Sequence, residues 1–179
     1  MLGVEGTLCD SWSRLELDSH GFEPRLDEAW CLRPPGPLVA EEAPPELELV
    51  DVTTPAEVAE FELTGARAFT TEDATVEESF HPATILRDRG MRLLTGRVDG
   101  DPVAVAMSFR DESAVGVYGV GTIASARGRG YASALTRALI DPALPAILSC
   151  VPALEPMYGR IGFERVGELR QWTSRREQP

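Results

Sequence analysis

Hydrophobic and polar positions follow two different periods along this chain, and each change of period marks an element. LELVDV (47–52) has strand spacing, and Thr54 followed by Pro55 is an N-cap signal for a helix over AEVAEFELTGARAF. A second short helix is expected around Val76 to Leu86, acidic in its first turn and limited in length by Pro82. The period then shortens. MRLLTGRV, PVAVAMSF and AVGVYGVGTI are apolar runs broken by Asp99-Gly100 and by RDES, which predicts three antiparallel strands with an Asp-Gly hairpin between the first two. Tyr131, Ala134, Leu135, Ala138 and Leu139 recur at helical spacing until Asp141-Pro142 stops the run. PAILSCV reads as a buried strand, PMYGRIGF as a short helix ending near Gly162, and FERVGELRQWTS as a closing strand or hairpin. From residue 47 the order is β, α, α, β, β, β, α, β, α, β. That order makes the chain an α+β (mixed α/β) protein, a mixed sheet with helices instead of a regular βαβ repeat.

The region before this pattern is separated from it by PPGPLVAEEAPP (34–45), whose prolines favour extended backbone and mark a linker. Residues 1–45 are therefore read as an N-terminal appendage with its Pro-rich linker, and residues 46–179 as the main domain. Within the appendage, GFEPRLDEAW (21–30) echoes GFERVGELRQW (162–172). Residues 11–33 are accordingly expected to form a helix and strand imitating the C-terminal unit, the remnant of a duplication. Coincidence is the competing explanation of so short a match.

Composition narrows the partners. Hydrophobic residues make up 43% and charged residues 26%, both ordinary for a globular chain. Lys and Arg number 17 against 29 Asp and Glu, a net charge of −12, which repels nucleic acid and anionic membrane and favours a small-molecule partner. No run is long and apolar enough to cross a bilayer, and the first residues, MLGVEGTLCD, lack the basic start and apolar stretch of a secretory signal. A cytoplasmic location is expected. Cys9, Cys31 and Cys150 are isolated thiols without metal-ligand spacing, and with only His20 and His81 available no metal site is expected. Cys150, in AILSCV, reads as a small buried hydrophobe.

ARGRGYASAL (126–135) carries the clearest chemistry. At a helix N-terminus the first amides have no intrahelical acceptor and sit at the positive end of the helix dipole, so they attract an anion. Gly128 and Gly130 remove side chains that would keep a diphosphate off those amides, and Arg127 and Arg129 add positive charge in an otherwise negative protein. A glycine-rich turn with solvated arginines is the plainer alternative. The chain has no G-x-x-x-x-G-K-[ST]. Gly119-Val-Gly121-Thr-Ile-Ala124 matches G-x-G-x-x-G/A, but the helix begins several residues after its glycines and Asp141 precedes a proline, which sets a dinucleotide fingerprint aside.

Arg127-x-x-Gly130-x-Ala132 resembles the [QR]-x-x-G-x-[GA] motif of the GCN5-related N-acetyltransferase (GNAT) family, and MYGRIGFERVG resembles that family's later tyrosine and glycine-phenylalanine segment, with Tyr158 in the tyrosine position. The resemblance covers roughly residues 46 to 179. It implies a central, mostly antiparallel mixed sheet of six to seven strands flanked by helices. It also implies acetyl-CoA as co-substrate, with its pyrophosphate on the loop and first helical turn (Arg127, Gly128, Arg129, Gly130, Tyr131, Ala132, Ser133). The pantetheine arm would lie along backbone groups of Val120, Gly121 and Thr122. The implied reaction is N-acetylation of a small-molecule or peptide amine by direct transfer in a ternary complex. A strand amide would polarise the carbonyl, and Tyr158 would be the acid for the leaving thiolate. A homodimer is the alternative to a monomer, and the acidic surface leans toward a cationic acceptor.

The general base is not legible. AVGVYGVGT has no carboxylate where many relatives carry a strand glutamate, and Glu72, Glu77, Glu78 and His81 are either candidates acting through water or a solvated face. Val151 stands where relatives often have a small polar residue. The second functional class is a catalytically silent acyl-CoA sensor or interaction domain of the same fold.

Overall fold

The two periods become eight strands and three α-helices in the computed structural model, which describes residues 7–77 and 79–174. In chain order these are β1 (Thr7–Asp10), β2 (Phe22–Arg33), β3 (Glu48–Asp51), α1 (Pro55–Phe69), β4 (Met91–Val98), β5 (Asp101–Arg110), β6 (Val115–Thr122), α2 (Tyr131–Leu139), β7 (Ala146–Cys150), α3 (Glu155–Ile161) and β8 (Glu164–Ser174). They fall into two compact units: residues 34–146, and the residues up to 33 together with those from 147 onward.

In the 34–146 unit, β3, β4, β5 and β6 lie side by side, each pair antiparallel. Asp99 and Gly100, both at positive φ (53° and 88°), turn β4 into β5 as the Asp-Gly signal predicts. Successive residues of a strand face opposite sides, so Leu93 joins Val52, Val58, Phe61 and Val105 in the core under α1. On the other face a side chain at Gly96 would collide with Leu135 of α2, whose Cδ1 would lie 3.0 Å from the added Cβ. Both faces of this sheet are covered, and β4 and β5 read as nearly continuous apolar runs for that reason. α1 begins as its cap signal predicts: Thr54 Oγ1 accepts from Glu57 N (3.3 Å), while Glu57 Oε2 accepts from Thr54 N (2.9 Å) and Thr53 N (2.7 Å).

Among the described residues the α-helix expected around Val76 to Leu86 is not formed. A single 3₁₀ turn, Ala83–Arg87, follows Pro82, whose ψ of 144° lies outside helical geometry. The preceding backbone is held instead by a carboxylate of α1, described below.

In the other unit β2 lies between β8 and β7, with β1 on the far side of β8; β8 pairs antiparallel with both β1 and β2. The sheet strands thus number one more than the upper end of the six to seven expected, because the segment ahead of the linker contributes β1 and β2. The two echo segments share a local form. A short helical turn (Asp18–His20 in one, α3 in the other) ends at a left-handed glycine, Gly21 (φ 81°) or Gly162 (φ 99°), and a long strand follows. The strands pair with each other, Trp30 opposite Gly167 and Trp172 opposite Pro24. Among the described residues no helix is long and apolar enough to cross a membrane.

Candidate active site

The loop between β6 and α2 is built around left-handed glycines. Gly128 (φ 77°) and Gly130 (φ 85°) adopt a conformation that side-chained residues rarely take, and the turn brings the chain into α2 with Gly130 as N-cap and no capping side chain. The first bond of the helix is Ala134 N to Gly130 O, 3.0 Å. Among the described residues the amides of Gly128, Arg129, Gly130, Tyr131, Ala132 and Ser133 have no protein acceptor. They form a run of donors at the positive end of an amphipathic helix that is anchored by buried Tyr131, Ala134, Leu135 and Leu139.

Arg127 is engaged elsewhere. Its Nε donates to Thr122 O (3.0 Å) and its Nη2 to Ala68 O (2.8 Å), so the guanidinium ties the end of β6 to the last turn of α1, where a cation also complements the helix dipole. Glu72 is similarly occupied. Its Oε1 accepts from Ser125 N at 2.5 Å, and hydrogen bonding from Ser125 holds its carboxyl below the usual range. Tyr131 donates to Glu46 Oε1 (2.8 Å), tying the start of α2 to the segment that follows the linker prolines.

β6 is irregular where the pantetheine arm was expected. Val105 pairs with Gly121 but Met107 pairs with Tyr118, so Gly119 and Val120 bulge out of the ladder, with Gly119 at φ 58°. Gly121 serves packing as well: a Cβ there would lie 2.9 Å from Ala68 Cβ and 3.1 Å from the Phe69 ring. The Thr122 hydroxyl is buried with no hydrogen-bond partner. A bulge, a close helix and an orphaned hydroxyl thus coincide at residues 119–122.

Tyr158, on α3 in the other unit, is buried, with its ring edge-on to Phe163 (5.9 Å between centroids) and no hydroxyl partner among the described residues. Burial pushes its phenol above the ordinary range, so the group stays protonated and able to donate. Cys31 and Cys150 meet at 3.9 Å in the same unit. Burial and the neighbouring thiol push Cys150 up to about 12, which fits the buried-hydrophobe reading and not a nucleophile. Val151 leads into the 3₁₀ turn Pro152–Leu154 ahead of α3.

The remaining base candidates separate. Glu77 is exposed, and Glu78 lies outside the described residues. His81 is brought against a residue that the sequence pattern missed, Glu62 of α1. Glu62 Oε1 accepts from His81 Nδ1 (3.1 Å) and from the His81 backbone amide, and Oε2 accepts from Ser79 Oγ (2.8 Å). The Glu62 side chain is only 4% exposed. Burial alone would raise its carboxyl, but the bonds from His81 and Ser79 outweigh it and hold the group below its usual range. The available signal was faint: a glutamate between buried Phe61 and Thr64, on a helix whose other acids, Glu57 and Glu60, are half-buried.

Solved structures with the same fold include a GCN5-related N-acetyltransferase from Kribbella flavida (22% identity, TM-score 0.61, 88% of this chain and 62% of that one). Another GCN5-related N-acetyltransferase, from Sphaerobacter thermophilus, matches at 17% identity with TM-score 0.66 over 99% of this chain and 62% of its own. A putative GNAT-family acetyltransferase from Novosphingobium aromaticivorans matches at 18% identity, TM-score 0.60, over 86% and 68%. The chain therefore spans less than two thirds of the length of the first and second of these. No curated protein matches it. The model of the acetyltransferase (GNAT) family matches residues 56–163, more than half of the chain, and spans the bulged strand, the glycine loop and Tyr158 alike. This chain belongs to the acetyltransferase (GNAT) family.

Proposed function

We propose that the protein is an acyl-CoA-dependent N-acetyltransferase that moves an acetyl group from acetyl-CoA to a primary amine by direct transfer. The observation that carries this reading is the run of unpaired amides from Gly128 to Ser133, set at the start of α2 by left-handed glycines. Such a run suits a diphosphate. The orphaned Thr122 hydroxyl and the Gly119–Val120 bulge fit the rest of the ligand, since both leave polar groups unpaired along the strand that leads into the loop. Acetyl-CoA, when bound, supplies an activated acetyl thioester.

The chain's own residues do the rest. The amides of Gly128 through Ser133, with Arg129 nearby, hold the diphosphate, and Arg127 fixes the loop to α1 and β6. Backbone groups of Val120, Gly121 and Thr122 align the pantetheine arm, and a β6 amide polarises the acyl oxygen. The Tyr158 hydroxyl gives its proton to the departing sulfur. Calorimetry with acetyl-CoA, followed by thiol release with spermidine, kanamycin and a peptide with a free N-terminus, tests the reading. Binding with turnover of an amine is expected, and Tyr158→Phe lowers kcat by about 100-fold or more at unchanged acetyl-CoA affinity. The strand β6, which carries no carboxylate, favours the second reading, a silent acyl-CoA sensor. Binding without thiol release on any amine establishes that alternative.

A further inference from the structure

We infer that His81, oriented by Glu62, is the group that takes the proton from the acceptor amine. This deepens the transferase reading and rests on it. A primary amine near neutral pH is an ammonium ion, since an alkylamine of the lysine type has a pKa of about 10.4. It has no lone pair for a carbonyl until a base removes a proton. β6 offers no carboxylate for this, Glu72 is committed to Ser125, and the pair on α1 is what the fold assembles instead.

The geometry is that of an oriented imidazole. Glu62 Oε1 accepts from the Nδ1–H (3.1 Å), so that the neutral ring carries its lone pair on Nε2; that nitrogen has no partner among the described residues. The carboxylate is itself fixed by the His81 amide and Ser79 Oγ, so the ring sits on a rigid support although it belongs to a loop. Its side chain is 18% exposed, open enough to exchange a proton with a ligand or water. Among the described residues, Glu62 from α1 is the charged group facing the ring. Phe61 of the same helix (6.2 Å) and Phe80 of the loop (5.0 Å) supply apolar edges.

The pair also lies on the α1 side of the strands. Phe61 belongs to the core against which Met107 packs, and the Met107 side chain reaches within 3.6 Å of where a Cβ on Gly119 would be. His81, through Phe61, and the bulge of β6, through Met107, thus border one apolar cluster. Phe80, 85% exposed beside the ring, offers an apolar surface for the body of the acceptor.

The proton balance is complete. His81 Nε2 takes one proton from the substrate ammonium, and the freed lone pair forms the C–N bond as the C–S bond breaks. The proton shed by the new amide passes to sulfur by way of Tyr158, and His81 returns its own to water. In this scheme Glu62 is a positioning residue.

The test measures thiol release by the full chain with the same amines between pH 5.5 and 9. His81→Gln is expected to lower kcat/KM by about 100-fold and to abolish the acidic limb of the profile, with acetyl-CoA affinity unchanged. Glu62→Gln is expected to keep measurable turnover with a lowered kcat and an unchanged KM for the amine, as loss of ring positioning requires. A second readout needs no turnover: with only His20 and His81 in the chain, ¹⁵N imidazole spectra of the unaltered protein resolve the ring, and the neutral form is expected to carry its proton on Nδ1. A proton on Nε2, or unchanged kcat/KM and profile in His81→Gln, overturns the assignment while the transferase reading stands. Acetyl-CoA binding with no thiol release by the unaltered protein overturns both.

Discussion

The two longer helices of the 34–146 unit begin in opposite ways. At α1 the chain satisfies its own donors: Thr54 caps Glu57, and the Glu57 carboxylate reaches back to the amides of Thr53 and Thr54. At α2 glycine replaces the capping side chain, and the amides of Gly128 through Ser133 meet no acceptor among the described residues. A capping side chain in place of Gly130 would gain only about a few tenths of a kcal/mol, because glycine is itself a good N-cap. The open start suits the diphosphate of the proposed co-substrate.

This contrast can be broken from either end. The largest effect is expected from filling the open end with the chain's own charge. Gly128→Asp, at a left-handed position with free space around it, should weaken acetyl-CoA binding by about 100-fold, because the new carboxylate takes the amides and repels the diphosphate; calorimetry that gave an unchanged affinity would falsify the anion role. Next in size, Arg127→Gln removes the strut on Thr122 O and Ala68 O and should cost about 2 kcal/mol in chemical denaturation, with the affinity lost mainly through a loosened loop. At the closed end, Thr54→Ala should cost about 1 kcal/mol of stability and leave acetyl-CoA affinity untouched; a matching drop in affinity would mean that the two helix starts are coupled.

The smallest effect is one of pH. Hydrogen bonds from Thr53 and Thr54 hold Glu57 below its usual range, so its folded pKa is depressed. The stability it contributes is present above the unfolded value of about 4.3 and is lost as pH falls through the folded one. Thermal midpoints of the protein and of Glu57→Gln should therefore converge in acid, and parallel curves down to pH 3 would remove Glu57 from the cap.

Much of this contrast was legible before any coordinates. Thr54-Pro55 announced a capped helix, and Gly128 and Gly130 marked first-turn amides that an anion could approach, because both signals are set by residues within a few positions of each other. What failed was of longer range. The periodicity around Val76 to Leu86 suggested a helix, yet Glu62, seventeen or more positions earlier, holds Ser79 and His81 in a different backbone, and local propensity cannot register that. Residues 22–33 read as an appendage, yet they pair along β8, more than a hundred residues away.

By itself the sequence determined the elements from residue 47 onward apart from the helix expected at Val76 to Leu86, the glycine loop ahead of α2 and the tyrosine that follows it, all through short-range stereochemistry and hydrophobic period. Only the tertiary structure decided that Arg127 is a strut, that β6 bulges at Gly119–Val120, and that a buried glutamate holds His81. Those outcomes depend on which distant groups share a low-dielectric neighbourhood, where an unpaired charge is costly and every carboxylate must find its donors.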